Sequence, residues 1–188
     1  IVRRLVGSEM CIRDRIKTKK IILDPVMVAK GGSKLINDSA IMTLKNKMID
    51  KVLLLTPNIP EAEVLTDMKI QNIDDMINAG NKLLRYGVEN ILIKGGHTNS
   101  KLVKDVLINK KEVRIFKNRK VFTKNTHGTG CTLSSAIATF LSCGKPLKKS
   151  CELGIKYVNQ AIKLNLNYGR GHGPINHLIS INVKKKYL

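Results

Sequence analysis

The sequence predicts a doubly wound α/β domain, a mostly parallel sheet with helices on both faces, and three observations carry that prediction. Short apolar runs alternate with helix-period segments from Ile16 onward. Three of those runs stop at polar or glycine punctuation, and a glycine-hydroxyl turn opens a late apolar helix.

Residues 20–26 read as a short buried strand closed by Asp24-Pro25, and residues 38–48 as a helix with Ile41, Leu44 and Met48 on one face. Residues 51–56 form a second strand, stopped by Pro57. Pro60 suits the first turn of a short helix carrying Glu61 and Glu63, and Asp74 is placed to cap a longer one bearing Ile77, Leu83 and Leu84. Residues 90–94 are a third strand running into Gly95-Gly96-His97. Residues 104–109 and 112–117 then pattern as a hairpin. Helices over 131–141 and from 146 to about 164 precede a glycine-rich tail at 169–174.

The 188 residues, 43% hydrophobic and 4% aromatic, suffice for one aliphatic core. No apolar run approaches the roughly 20 residues of a membrane span, so no membrane association is expected. Cys11, Cys131, Cys143 and Cys151 show no CxxC spacing, which argues against a disulfide scaffold and for a reducing, cytoplasmic setting. His172 and His177 lack HExxH spacing, so zinc is not expected. The net charge of +20 raises nucleic acid as a partner. The lysines are scattered, however, and apart from Lys184-Lys185-Lys186 they form no basic stripe with interleaved aromatics. No nucleic-acid partner is expected; a basic surface also attracts anionic substrates.

Residues 1–15 differ in kind: they hold Arg3, Arg4, Arg13 and Arg15, no Lys, and neither helical nor strand periodicity. They lack the long apolar segment and small-residue cleavage site of a secretory signal. They are expected to be an extraneous or disordered arm, leaving 16–188 as a partial domain.

The chemistry concentrates at Thr126-His127-Gly128-Thr129-Gly130-Cys131-Thr132, which leads directly into an apolar helix. Glycine lets backbone N–H groups turn toward an oxyanion, and the helix adds its unsatisfied N–H groups and positive dipole end. Phosphate is the expected guest. The same field favours a thiolate at Cys131, making it a base or nucleophile, although an isolated GxGC fits a capped helix with a packed thiol equally well. Ligands of open parallel sheets bind beyond the carboxyl ends of the strands, where Asp24, Thr56-Pro57-Asn58 with Glu61, and Lys94 all stand. A carboxylate, an amide with a nearby Glu, a lysine and an anion nest are the parts of a phosphoryl-transfer site. No GxxxxGK[ST] loop is present, which sets aside P-loop enzymes.

The segments ILDPVMVAKGG, LLTPNIPEAEVLT, ILIKGGH, KNTHGTGCTLSSAIA and GHGPINHL stand in that order. Over residues 20 to about 178 the chain resembles the hydroxymethylpyrimidine/phosphomethylpyrimidine kinases of the ribokinase-like superfamily. The resemblance implies a ribokinase-like doubly wound fold and a cytoplasmic enzyme of thiamine biosynthesis that uses ATP and Mg²⁺. Its substrates would be 4-amino-5-hydroxymethyl-2-methylpyrimidine and its monophosphate, and the full-length protein would form a homodimer.

Site roles follow from the resemblance residue by residue. Cys131 would accept the proton of the attacking hydroxymethyl group and line the pyrimidine site, with Gly128, Thr129 and Gly130 as the anion hole. Glu61 would organise Mg²⁺ through water with Asp24 as a second metal contact. Asn58, Lys94 and Thr126 would lie on the ATP side, and Val26 against the pyrimidine. Without the resemblance, Glu61 reads as a dipole partner in a first helical turn, Lys94 as a solvated charge, Asp24 as a cap and Val26 as core. His97 and His127 receive no role.

Full members of that family begin with a strand and a GxDxxGGAG-like loop that are not found here. The chain is therefore expected to be N-terminally truncated, the C-terminal two-thirds of a kinase lacking the N-terminal strands, with a nearly complete ATP half and an incomplete pyrimidine half. Exposed apolar sheet edges and weak or absent turnover follow from that expectation. Rival readings are a pyridoxal kinase, a thiazole kinase, and a non-catalytic nucleotide-binding remnant completed by a separate N-terminal half.

Overall fold

The computed structural model describes residues 20–27, 35–96, 101–164, 171 and 173–179. The expectations for residues 1–15, the glycine pair at 31–32, His97, His172 and the lysines at 184–186 fall outside them. The elements run β1 (Ile22–Leu23), α1 (Asp38–Lys47), a 3-10 turn (Ile49–Lys51), β2 (Leu54–Leu55), α2 (Ile59–Thr66), α3 (Ile73–Arg85) and β3 (Asn90–Ile93). Then come β4 (Leu102–Asn109), β5 (Val113–Arg119), α4 (Thr129–Ser142) and α5 (Leu147–Lys163).

The strands form one sheet in the order β1-β2-β3-β4-β5. β1, β2 and β3 pair in parallel, with Ile22 opposite Leu54 and Leu54 opposite Asn90. β4 runs antiparallel to both β3 and β5, with Ile91 opposite Ile108 and Leu107 opposite Arg114, so β5 points the same way as β1–β3. The first two strands are shorter than the pattern predicts. Pro25 and Pro57 have no N–H to continue a ladder, and Val26 N–H turns back to the Asp24 carbonyl at 2.9 Å. Strand-like bonds nevertheless extend past both ends of β2, from Leu53 N–H to the Ile21 carbonyl and from Thr56 N–H to the Leu23 carbonyl, each 2.9 Å.

Strand alternation divides the interior into two cores. Leu55, Ile91, Ile93, Val106 and Ile108 face α1–α3, meeting Ile41, Ala62, Leu65, Met76, Ala79 and Leu83. Leu54, Leu92 and Leu107 point the other way, onto Leu133, Ile137 and Leu141 of α4 and Cys151, Ile155 and Val158 of α5. Each fully buried Leu or Ile contributes about 1.5–3 kcal/mol relative to exposure. The second core therefore holds α4 against the sheet.

Helix starts follow local capping chemistry. Asn37 caps α1, accepting Ala40 N–H at 2.8 Å. The cap of α3 is Asn72, not Asp74: its Oδ1 accepts Asp75 N–H at 2.9 Å while Asp75 Oδ2 accepts Gln71 N–H at 2.9 Å. The Asn72-Ile73-Asp74-Asp75 run holds three Asx residues, and these two bonds place the cap at the first of them. The hairpin is longer than predicted at its open end, and its turn is closed by Asn109 Oδ1, which accepts N–H groups from Lys111 and Glu112.

Candidate active site

Asp24 leaves the end of β1 with its side chain 10% exposed. Its Oδ1 accepts two donors, the Thr56 hydroxyl at 3.1 Å and the Lys94 ammonium at 2.6 Å. Lys94 follows β3, held at the backbone by its N–H to the Pro57 carbonyl at 2.8 Å and a parallel bridge with Asn58. Its ammonium also stands 4.0 Å from Glu61 Oε2. Three parallel strands thus deliver a carboxylate, a hydroxyl and a lysine to one point, because parallel pairing puts all their carboxyl ends on one edge.

Glu61 is buried at 5% exposure and is bound into a capping box. Asn58 Oδ1 accepts Glu61 N–H at 2.8 Å, and Glu61 Oε2 accepts Asn58 N–H at 2.7 Å. The exposed dipole-partner reading therefore does not apply. Burial raises the Glu61 pKa above the usual carboxylate range, the negative charge of Asp24 pushes the same way, and the Asn58 N–H and the Lys94 charge pull it down. Asn58 acts in this geometry through Glu61, fixing its direction.

The start of α4 closes the cluster. Gly128 is the N-cap of α4 with φ 83°, a left-handed conformation that glycine adopts without strain, and no side chain caps the helix. Thr132 N–H makes an early helical bond, to the Gly128 carbonyl at 2.9 Å. The first-turn N–H groups of Thr129, Gly130 and Cys131 accordingly have no intrahelical acceptor. A Cβ on Gly130 would sit 3.2 Å from Lys94 Nζ and 3.3 Å from Asp24 Oδ2. The helix start is therefore in contact with the ion pair, and only a residue without a side chain leaves that space open.

Cys131 is exposed and lines a groove of about 650 Å³ with Gly128, Thr132, Ser135, Phe140 and Tyr157. That volume lies within the range of small-molecule pockets. Groove and ion-pair cluster meet at the α4 N-terminus. Val26 is 40% exposed beside Asp24, whereas its neighbour Met27 is the buried one at 2%, so Val26 is displayed rather than packed as core. Thr126 braces the turn, its carbonyl accepting the Thr129 hydroxyl at 3.2 Å. Direct contacts join Asp24, Asn58, Glu61 and Lys94, and Gly130 lies against the Lys94–Asp24 pair.

Two further residues shape the site. Asn125, 2% exposed, accepts Gly173 N–H on Oδ1 at 2.8 Å, and His127 N–H donates to the Gly173 carbonyl at 3.2 Å. The turn before α4 is thereby tied to a strap 48 residues downstream. Asp105 in β4, 7% exposed, accepts Gly95 N–H at 2.9 Å. Burial pushes its pKa up to about 6 against the opposing pull of that N–H and of Lys94. Its only trace in the sequence is parity, a charged residue on the same face of β4 as Leu107. Among the described residues no group of three or more His, Cys, Asp or Glu gathers as a metal cage, and no helix is long and apolar enough to cross a membrane.

Residues 6–176 match the family model described as phosphomethylpyrimidine kinase. The chain is 43% identical over 164 residues to the thiamine biosynthesis bifunctional protein ThiED of Geobacter sulfurreducens, covering 87% of this chain and 34% of that protein. It is 37% identical over 165 residues to the hydroxymethylpyrimidine/phosphomethylpyrimidine kinase of Bacillus subtilis, covering 87% of this chain and 61% of that kinase. The chain thus spans between about a third and three-fifths of these relatives. Among solved structures, the phosphomethylpyrimidine kinase of Clostridium difficile superposes with a TM-score of 0.68 at 35% identity, over 80% of this chain and 60% of that one. An ADP complex of Bacillus subtilis pyridoxal kinase superposes with a TM-score of 0.82 at 27% identity, over 93% of this chain and 66% of that one. The fold is accordingly ribokinase-like, and with a family match over most of its residues the chain belongs to the phosphomethylpyrimidine kinase family.

Proposed function

We propose that the chain carries the ATP side of a kinase site that phosphorylates 4-amino-5-hydroxymethyl-2-methylpyrimidine and its monophosphate in thiamine biosynthesis. The observation that carries the reading is the contact of the α4 anion turn with the Lys94–Asp24 pair at Gly130. Such a site stabilises charge on a phosphoryl group in transit, with first-turn N–H groups and an ammonium aimed at one volume. The groove along α4 would take the nucleoside. Lys94 would neutralise phosphate oxygens, Thr126 would hold the turn, and Cys131 would take the hydroxyl proton as the acceptor attacks. Val26, displayed at the same edge, would lie against the pyrimidine.

The donor set fits Mg²⁺ brought in with ATP rather than held by a protein cage. Mg²⁺ takes one or two carboxylates and fills its remaining positions with phosphate oxygens and water. Asp24 and Glu61 supply those carboxylates, and their mutual repulsion, part of what raises the Glu61 pKa, is what a divalent cation would relieve. When bound, the ion would neutralise phosphate charge. Glu61 would stay in place through the Asn58 cap, and Asp24 through Thr56.

The resemblance also carries a cytoplasmic setting and a homodimeric full-length form. The test is ATP binding by calorimetry together with phosphoryl transfer to the pyrimidine or to pyridoxal. Binding that survives Cys131→Ala, with any transfer falling by about 10²–10⁴-fold, is expected. A chain that binds no ATP would sink the reading. Transfer to pyridoxal in preference to the pyrimidine would favour the second reading, which the structural likeness to pyridoxal kinases motivates.

A further inference from the structure

We propose that Asp105 is the positioning residue for Lys94: its buried carboxylate fixes the backbone at Gly95 and so sets the direction in which Lys94 leaves β3. The inference rests on reading Lys94 as the phosphate-contacting lysine. β3 ends at Ile93, paired with Val106. Continuing that register brings Gly95 against Lys104, and there the backbones are so close that a Cβ on Gly95 would overlap the Lys104 carbonyl oxygen. The Gly95 N–H goes to the side chain of the next residue of β4, Asp105 Oδ1, at 2.9 Å. From the other side, Lys94 N–H is held by the Pro57 carbonyl at 2.8 Å. Lys94 is thus gripped at the backbone between β2 and β4, and from there its ammonium reaches Asp24 and the α4 turn.

A carboxylate is a poor choice for this position on packing grounds alone. Asp105 shares its face with Leu107, and the titratable groups facing it are Lys94, beyond β3, and Cys151 of α5. The Cys151 thiol, pushed up to about 12 by burial and by Asp105, offers no compensating positive charge. Desolvating an acid beside an apolar core is unfavourable, and such groups concentrate where function needs them.

The test compares Asp105→Ala and Asp105→Asn with the unaltered chain by three readouts. These are hydrogen exchange at the Gly95 amide, the rate at which an acylating reagent labels Lys94, and affinity for ATP against AMP. Asp105→Ala is expected to speed Gly95 exchange and Lys94 labelling, and to weaken ATP about tenfold, the worth of one charge-assisted hydrogen bond, with AMP little changed. Asp105→Asn keeps an acceptor and should restore most of each. Unchanged Gly95 exchange in Asp105→Ala, or ATP and AMP weakening in proportion, overturns the inference. If Asp105→Ala does not fold, the Gly95 amide shift decides: it should titrate with the Asp105 carboxyl in the unaltered chain and not in Asp105→Asn, and a shift indifferent to pH refutes the clamp. A chain that binds no nucleotide defeats the proposed function, while Gly95 exchange and Lys94 labelling still judge Asp105.

Discussion

Replacing Gly130 by Ala separates the site from the fold. The added Cβ would stand 3.2 Å from Lys94 Nζ and 3.3 Å from Asp24 Oδ2, some tenths of an ångström inside comfortable contact. Lys94 Nζ is the far end of a flexible side chain, so it can yield without moving backbone. Ala is meanwhile the better helix residue by about 0.5–1 kcal/mol. The two effects nearly offset each other, and Tm should stay level or rise by about 2–4 °C, the scale of 1 kcal/mol in a domain of this size. Function should not survive as well. The methyl group occupies the volume where α4 N–H groups, Lys94 and Asp24 converge, and the 2.6 Å Lys94–Asp24 contact must stretch. Misplacement of about 1 Å at such a centre costs on the order of 10²-fold in rate. The assays are calorimetric ATP binding, phosphoryl transfer where it is measurable, and a thermal melt. ATP affinity within twofold of the parent, with Tm unchanged, would refute the convergence at Gly130. A Tm drop well beyond 4 °C would show that Lys94 does not yield.

Asp105→Asn should stabilise the chain above pH 6. The folded-state pKa of Asp105, about 6, lies above the ordinary 3.8 of an exposed Asp, so the folded chain holds this proton more tightly. The resulting penalty is complete above the folded value and disappears as pH falls toward the unfolded one, an effect on the order of 3 kcal/mol. Urea unfolding at pH 7.5 and pH 5 checks it, and equal stability of parent and variant at both would count against the assignment. Leu92→Ala, in the fully buried α4-side core, should cost about 2–5 kcal/mol, read as a lower urea midpoint. Asn125→Ala leaves Gly173 N–H without its 2.8 Å acceptor and should cost about 1–3 kcal/mol. It should also speed exchange at Gly173 and weaken ATP binding; protection of that amide in the variant would contradict the strap.

Much of this protein is written in local pattern. The unbroken apolar runs at Leu54-Leu55 and Ile91-Leu92-Ile93 announce a sheet buried on both faces, and Pro25, Pro57 and the glycines after Lys94 mark where three strands end. Gly128-Thr129-Gly130-Cys131 announces a helix start with open N–H groups because that geometry needs only neighbours in sequence. What the chain alone leaves open is every contact between distant segments. The burial of Glu61, the approach of Gly130 to Lys94 and Asp24, and the hold of Asn125 on Gly173 exist only once parallel pairing has brought the strand ends to one edge. Asp105 shows the limit most clearly, since a lone Asp in a hairpin reads as a solvated residue until the register sets it under Gly95. Residue type fixes which groups are able to do chemistry, but desolvation and distance, which decide whether they do it together, are properties of the packed chain.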